Sequence, residues 1–182
     1  CLTPVVWEAI NEVILGAKKI MKFLKEVSRL VASENLPVCW TTPSPLNFPV
    51  QMMCYKKESK RVKTKMGDSI IKLSIQSDTD EIDTRKTAQS ICPNFIHSLD
   101  ASVLQLAVVK AKEKGVTNFS LIHDSFGCVA TDVPLLSEAI REAFCEVYEQ
   151  DVLTNFAKEM KDMLSPKNLK KFPNIPERGD LD

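Results

Sequence analysis

Ser120-Leu121-Ile122-His123-Asp124-Ser125-Phe126-Gly127 sets two β-type runs on either side of a polar pair. That is the pattern of two short strands joined by a tight turn. The first strand is expected over Asn118 to Ile122 and the second over Phe126 to Ala130. Asp124 then lies at or beside the turn, and its carboxylate projects beyond the strand ends, within reach of a cation or substrate. Mg²⁺ needs such exposure, because it keeps several waters and takes one or two protein oxygens. Asp and Ser are also ordinary turn residues, so the turn alone has a structural reading as well as a chemical one. His123 has the same two readings, as a site residue or as a side chain packed beside the turn.

Working upstream, Phe95 to Lys114 reads as a helix with Gly115 as its C′ residue. Pro93-Asn94 is expected to interrupt the pattern before it, and the polar stretch Asp80 to Ser90 to start a helix of its own. His97 and Asp100, three apart at a helix start, share a face. Downstream, Asp132 is expected to cap a helix from about Pro134 to Tyr148. Another helix follows over Val152 to Leu164, and the tail from Pro166, with Pro173, Pro176 and Gly179, reads as irregular. At the other end, residues 4–34 read as one amphipathic helix, with Thr3 as cap and Pro4 in the first turn. Pro37, Pro43, Pro45 and Pro49 then exclude a long helix. Short strands are expected at Val38–Thr41, Val50–Tyr55, Arg61–Lys65 and Ile71–Ile75. Helices with antiparallel hairpins give an α+β fold.

The chain has 182 residues, 44% hydrophobic and 26% charged, in the ordinary globular range. The aliphatic content excludes disorder as the main state. Its six cysteines include no CxxC pair and no Cys/His cluster, so no zinc site is expected; scattered through a chain of this size without a signal peptide, they read as free thiols and not as a disulfide framework. No run of 18 apolar residues is present, and no membrane partner is expected. Lys and Arg balance Asp and Glu, 24 to 24, which argues at first against a nucleic-acid partner. The balance conceals a polarised chain: residues 56–72 carry a net +5 and residues 132–162 a net −5. A solubilising face accounts for the basic run equally well as a phosphate-contacting strip. The start at Cys1, without Met, is expected of a fragment or a processed product.

The order PNFIHSLDAS (residues 93–102), helix, LIHDSFG (121–127), acidic helix resembles the single-subunit DNA-dependent RNA polymerases of bacteriophages and mitochondria. Trp40-Thr41-Thr42-Pro43, Phe48-Pro49-Val50, Val6-Trp7-Glu8, Glu81-Ile82-Asp83 with Arg85-Lys86, and Pro176 to Leu181 extend the likeness over nearly the whole chain. The resemblance implies a right-hand polymerase fold in which residues 120–127 form the palm hairpin, flanked by long helices. Residues 1–182 are then the C-terminal palm and adjoining fingers-side region of a longer enzyme. It implies that Asp124 is one of two catalytic, metal-binding aspartates, and that His97 and His123 lie by the nucleotide. It also implies two Mg²⁺ ions, with a DNA template, an RNA product, ribonucleoside triphosphates and the remainder of the polymerase chain as partners. Ser125 after the aspartate favours RNA polymerases over DNA-making relatives, which usually have Glu there.

Two departures stand out. Val103 occupies a place where the family usually has His, and the turn Pro43 to Phe48 is longer than usual and lacks its Gly. The second aspartate and a Lys/Tyr-bearing fingers helix are expected to precede residue 1, so the isolated chain is expected to be inactive. Nucleic-acid contact is assigned to Lys60, Arg61, Lys63, Arg85 and Lys86, and location to the cytoplasm of a phage-infected bacterium, with a mitochondrial origin as the alternative. Two competing readings are a non-catalytic remnant or interaction module, and a metal-dependent hydrolase using His97, His123 and Asp124. The hydrolase lacks any fixed motif spacing.

Overall fold

The computed structural model describes residues 14–67 and 69–178. Helix and antiparallel pairs are mixed, as an α+β chain requires. The order is α1 (Leu15–Ser33), β1 (Val38–Thr41), β2 (Pro49–Met52), β3 (Tyr55–Met66), β4 (Ser69–Ile82), α2 (Thr84–Glu113), β5 (Ser120–Ile122) and β6 (Ser125–Gly127). After a 3-10 turn at Ala130–Asp132 come α3 (Val133–Glu149), α4 (Val152–Met163) and α5 (Pro166–Leu169). The strands form three separate two-stranded ribbons, β1-β2, β3-β4 and β5-β6.

Helix α1 buries Phe23, Leu24, Val27 and Val31, one stripe at helical spacing. The N-terminal part of the expected 4–34 helix, with Thr3, Pro4 and Val6-Trp7-Glu8, lies outside the described residues. Asn35 stops α1 in the left-handed region, at φ 58°. Its N–H donates to Ala32 O and that of Leu36 to Val31 O, the paired bonds of a Schellman end. Gly115, at φ 97°, ends α2 in the same way, through Lys112 O and Ala111 O. Asn35 does more than a glycine could. Its Oδ1 accepts from Ile82 N at 2.7 Å and its Nδ2 donates to Asp80 O at 3.2 Å, tying the foot of β4 to the end of α1.

Helix α2 is the axis of the molecule. Its first half packs Ile91, Cys92, Phe95 and Leu99 into the main core with α1, Val38, Trp40, Met52 and the α4 residues Phe156, Ala157 and Met160. Its second half packs against α3, through Val103, Leu106 and Ala107 on Ala143 and Val147, and Ala111 on Leu136 and Ala139. Val103, where the resemblance leads one to expect His, is an apolar filler there.

The structure corrects several expectations. Pro93 does not break α2, which runs unbroken for 30 residues. Pro93 and Gln89, one turn back, are both exposed, so the carbonyl that loses its N–H partner faces water. Ile91, Cys92 and Phe95 are held in the core, and tertiary burial overrides the local rule. The helix begins at Thr84, not Asp80, because Asp80 to Ile82 pair as strand. Asp83 caps it, accepting from Lys86 N at 2.9 Å. Strands 61–65 and 71–75 are the middle of a far longer ribbon, and 50–55 splits into β2 and the start of β3. Asp132 takes the position before α3 without a capping side-chain bond. β5 and β6 are only three residues each, and Pro166–Leu169 makes a helical turn in the tail.

Candidate active site

The β5-β6 pair sets Ser120 opposite Gly127, Leu121 opposite Phe126 and Ile122 opposite Ser125. Only His123 and Asp124 remain to make the turn. Asp124 is exposed, as its expected place at the turn requires. His123 is exposed too and takes φ 55°, in the left-handed region where a side chain is disfavoured. A glycine would be the default at such a position. At the foot of the ribbon, a Cβ on Gly127 would stand 3.3 Å from Ser120 O, so the strands close tightly there.

Phe126 anchors the ribbon. It packs against both groups of residues that join α2 to α3. Lys114 binds Glu142 at 2.8 Å and Glu138 at 3.0 Å, and Lys110 binds Glu146 at 2.7 Å. These hydrogen-bonded carboxylates raise both lysines above their ordinary range, and Lys114 in turn lowers Glu142. Three acids of the net −5 stretch are therefore committed to holding α3 on α2, under the hairpin. An apolar cavity of about 350 Å³, lined by Phe126, Cys128, Val133, Leu136 and Ile140, lies behind the ribbon. Asp124 does not line it.

His97 and Asp100 are both exposed on α2. Asp100 is close enough to Tyr148 for its charge to add to the burial that raises the phenol. Arg61 and Lys63 share one face of the β3-β4 ribbon with Lys57, Lys65 and Lys72, by the alternation of the registered pairs. Lys60 falls on the opposite face, with Val62, Met66, Ile71, Leu73 and Ile75. Arg85 and Lys86 are exposed in the first turn of α2, where cations oppose the helix dipole.

Among the described residues no three His, Cys, Asp or Glu side chains are grouped so as to hold a metal ion. His97, His123 and Asp124 therefore do not form the ligand set that a hydrolase would need. The five described cysteines are free thiols. Among the described helices none is long and apolar enough to cross a membrane. Trp40 and Ser98, joined across 58 residues, carry a contact that motif spacing does not show.

If His123 serves the site and not the turn, replacing it should not harm the fold. His123→Gly is expected to change folding stability by less than about 1 kcal/mol, because it relieves the left-handed backbone. A clear loss of stability, read by thermal denaturation, would assign the side chain to packing.

Residues 1–179 match the family model described as DNA-dependent RNA polymerase. Among the curated relatives, DNA-directed RNA polymerase 2, chloroplastic/mitochondrial, of Arabidopsis thaliana is 40% identical over 174 residues, which is 96% of this chain and 16% of that protein. T7 RNA polymerase of Escherichia phage T7 is 34% identical, covering 99% of this chain and 22% of the relative. The DNA-directed RNA polymerase of Enterobacteria phage K11 is 33% identical, at 99% and 21%. The chain thus spans only 16 to 22% of the length of these relatives, which include both phage and organellar proteins. With almost every residue inside the match, including the hairpin and the helix that carries His97, the chain belongs to the DNA-dependent RNA polymerase family.

Proposed function

We propose that these residues form the palm and adjoining fingers-side part of a right-hand RNA polymerase that adds ribonucleotides under the direction of a DNA template. The observation that carries this reading is Asp124, exposed at the tip of a two-residue turn whose ribbon is anchored by Phe126. A hard, solvent-facing carboxylate suits Mg²⁺, which keeps much of its water. One carboxylate does not fix two ions, so the second aspartate belongs to another part of the polymerase. Two Mg²⁺ ions, when bound, stabilise the attacking and leaving oxygens of an in-line displacement at the α-phosphate.

The chain's own residues have simpler tasks. Asp124 supplies negative charge at a fixed point. His97 meets the incoming nucleotide by shape and hydrogen bonding, without acting as the main base, and His123 borders the same site. Template and product are held chiefly through phosphates. Arg61 and Lys63, on the basic face of the long ribbon, are suited to that contact, and Arg85 and Lys86 add charge at the start of α2. Lys60, on the apolar face, is the weakest of the five assignments.

The reading is tested with the polymerase that carries these residues. It should extend RNA only when template, ribonucleoside triphosphates and a divalent cation are all supplied. Triphosphate cleavage that needs no template would oppose it. A second measurement addresses the ribbon. Arg61→Ala combined with Lys63→Ala should reduce the slope of log affinity for DNA against log salt by about 2, one unit for each lost phosphate contact. An unchanged slope would return both side chains to the role of a solvated face.

A further inference from the structure

Two side chains outside the candidate catalytic set meet beneath the segment that carries His97. The Trp40 indole N–H donates to Ser98 Oγ at 3.0 Å, and the Ser98 hydroxyl donates to Phe95 O at 2.7 Å. Trp40 is 2% exposed, so the interior gives its N–H no water to fall back on. One turn earlier Asn94 Nδ2 donates to Ser90 O at 2.9 Å and sits 3.2 Å from Met52 Sδ. Trp40 and Met52 belong to the same ribbon, where Trp40 pairs with Val50 and Met52 with Val38. The ribbon therefore grips α2 at Asn94 and Ser98, on either side of His97 in the sequence. The Phe95 ring, 5.9 Å from that of Trp40, fills the space between.

Apolar packing decides which face of a helix is buried but leaves it some freedom to turn. A directional bond from a buried indole to a hydroxyl narrows that freedom. A side-chain end lies about 6 Å from a helix axis, so a turn of 10–20° displaces it by about 1–2 Å. A hydrogen bond holds only over about 2.7–3.2 Å, so a displacement of that size weakens a contact to a bound nucleotide and shows chiefly in KM.

We propose that the β1-β2 ribbon is a brace, with Trp40 and Ser98 as positioning residues that set the direction in which α2 presents His97 to the nucleotide. The inference rests on the reading of His97 given above and adds the residues through which that reading is enforced. Neither positioning residue touches substrate. Trp40 lies in the core, and Ser98 is occupied by Trp40 and Phe95.

The test compares four single variants and one double variant of the polymerase carrying this chain, each measured for thermal stability, KM for ribonucleoside triphosphate and kcat. Ser98→Ala should raise KM by about five- to tenfold, the equivalent of one buried hydrogen bond, with kcat changed less than threefold. Ser98→Thr keeps the hydroxyl and should restore KM to within about twofold of the parent. Val147→Ala removes packing from the separate α2-α3 group and serves as a control for stability alone. It should lower the melting temperature without raising KM. His97→Ala should raise KM at least as much as Ser98→Ala, and the two should not add when combined, since they remove one contact. If Ser98→Ala raises KM no more than Val147→Ala, or if Ser98→Thr fails to rescue it, the brace is overturned while the reading of His97 stands. If His97→Ala leaves KM unchanged, that reading and the brace fall together.

Discussion

Asp124→Asn should reduce templated RNA synthesis at least about a thousandfold while leaving DNA affinity nearly intact. The substitution keeps the size and shape of the side chain, removes its charge and replaces one acceptor oxygen by an amide NH2. Asp124 is exposed at the turn, so its replacement disturbs no packing, and surface changes of this kind fall within about 0.5 kcal/mol of neutral. DNA affinity depends mainly on cations that meet phosphates, and these are untouched. Loss of rate without loss of fold or binding is the signature of a carboxylate that holds catalytic cations. A near-normal rate would remove Asp124 from that role.

The second large effect concerns the fold. Phe95→Ala is expected to destabilise the chain by about 3–5 kcal/mol, measured by denaturant unfolding followed by circular dichroism. Phe95 is 2% exposed and stands at the centre of three aromatic rings. Its ring lies 5.1 Å from that of Phe156 at an edge-on angle of 66°, and the Trp40 and Phe156 rings are 6.3 Å apart. The three rings come from β1, α2 and α4, so truncation opens a cavity where those elements meet. It also removes two aromatic pairs, each worth about 0.5–1.5 kcal/mol beyond its buried area. Against a typical total of about 5–15 kcal/mol, much of the stability is lost. A loss under about 1 kcal/mol would mean that the core closes over the gap and that the rings are not its keystone. Phe95 lies between Asn94 and His97, so the same change should also weaken nucleotide incorporation in any fraction that remains folded.

How much of this was legible in the chain follows from the range over which each rule acts. The hairpin at 120–127 was readable because its turn, its alternation and its exposed Asp124 are all local. Gly115 marked the end of α2 for the same reason: a left-handed residue with its backbone bonds needs only the preceding turn. The end of α1 was likewise expected at residue 34, but the bonds that Asn35 makes to Asp80 and Ile82, 45 and 47 residues away, were not legible. The charge pattern was visible as a run, but its meaning required pairing. The register divides the basic strip into a cationic face and an apolar face that holds Lys60. Part of the acidic stretch is spent on Lys110 and Lys114.

Sequence alone determined the family, the α+β class and the position of the candidate carboxylate, since each rests on residue order and local turn chemistry. Only tertiary structure decided that α2 passes unbroken through Pro93, that β3 and β4 form one long ribbon, and that Trp40 reaches Ser98. In each case the outcome depends on which distant surface a residue is buried against. Proline's missing hydrogen bond is tolerable only because that side of α2 faces water while Ile91, Cys92 and Phe95 are held by the core. Burial free energy is set between segments far apart in the chain, and no local pattern contains it.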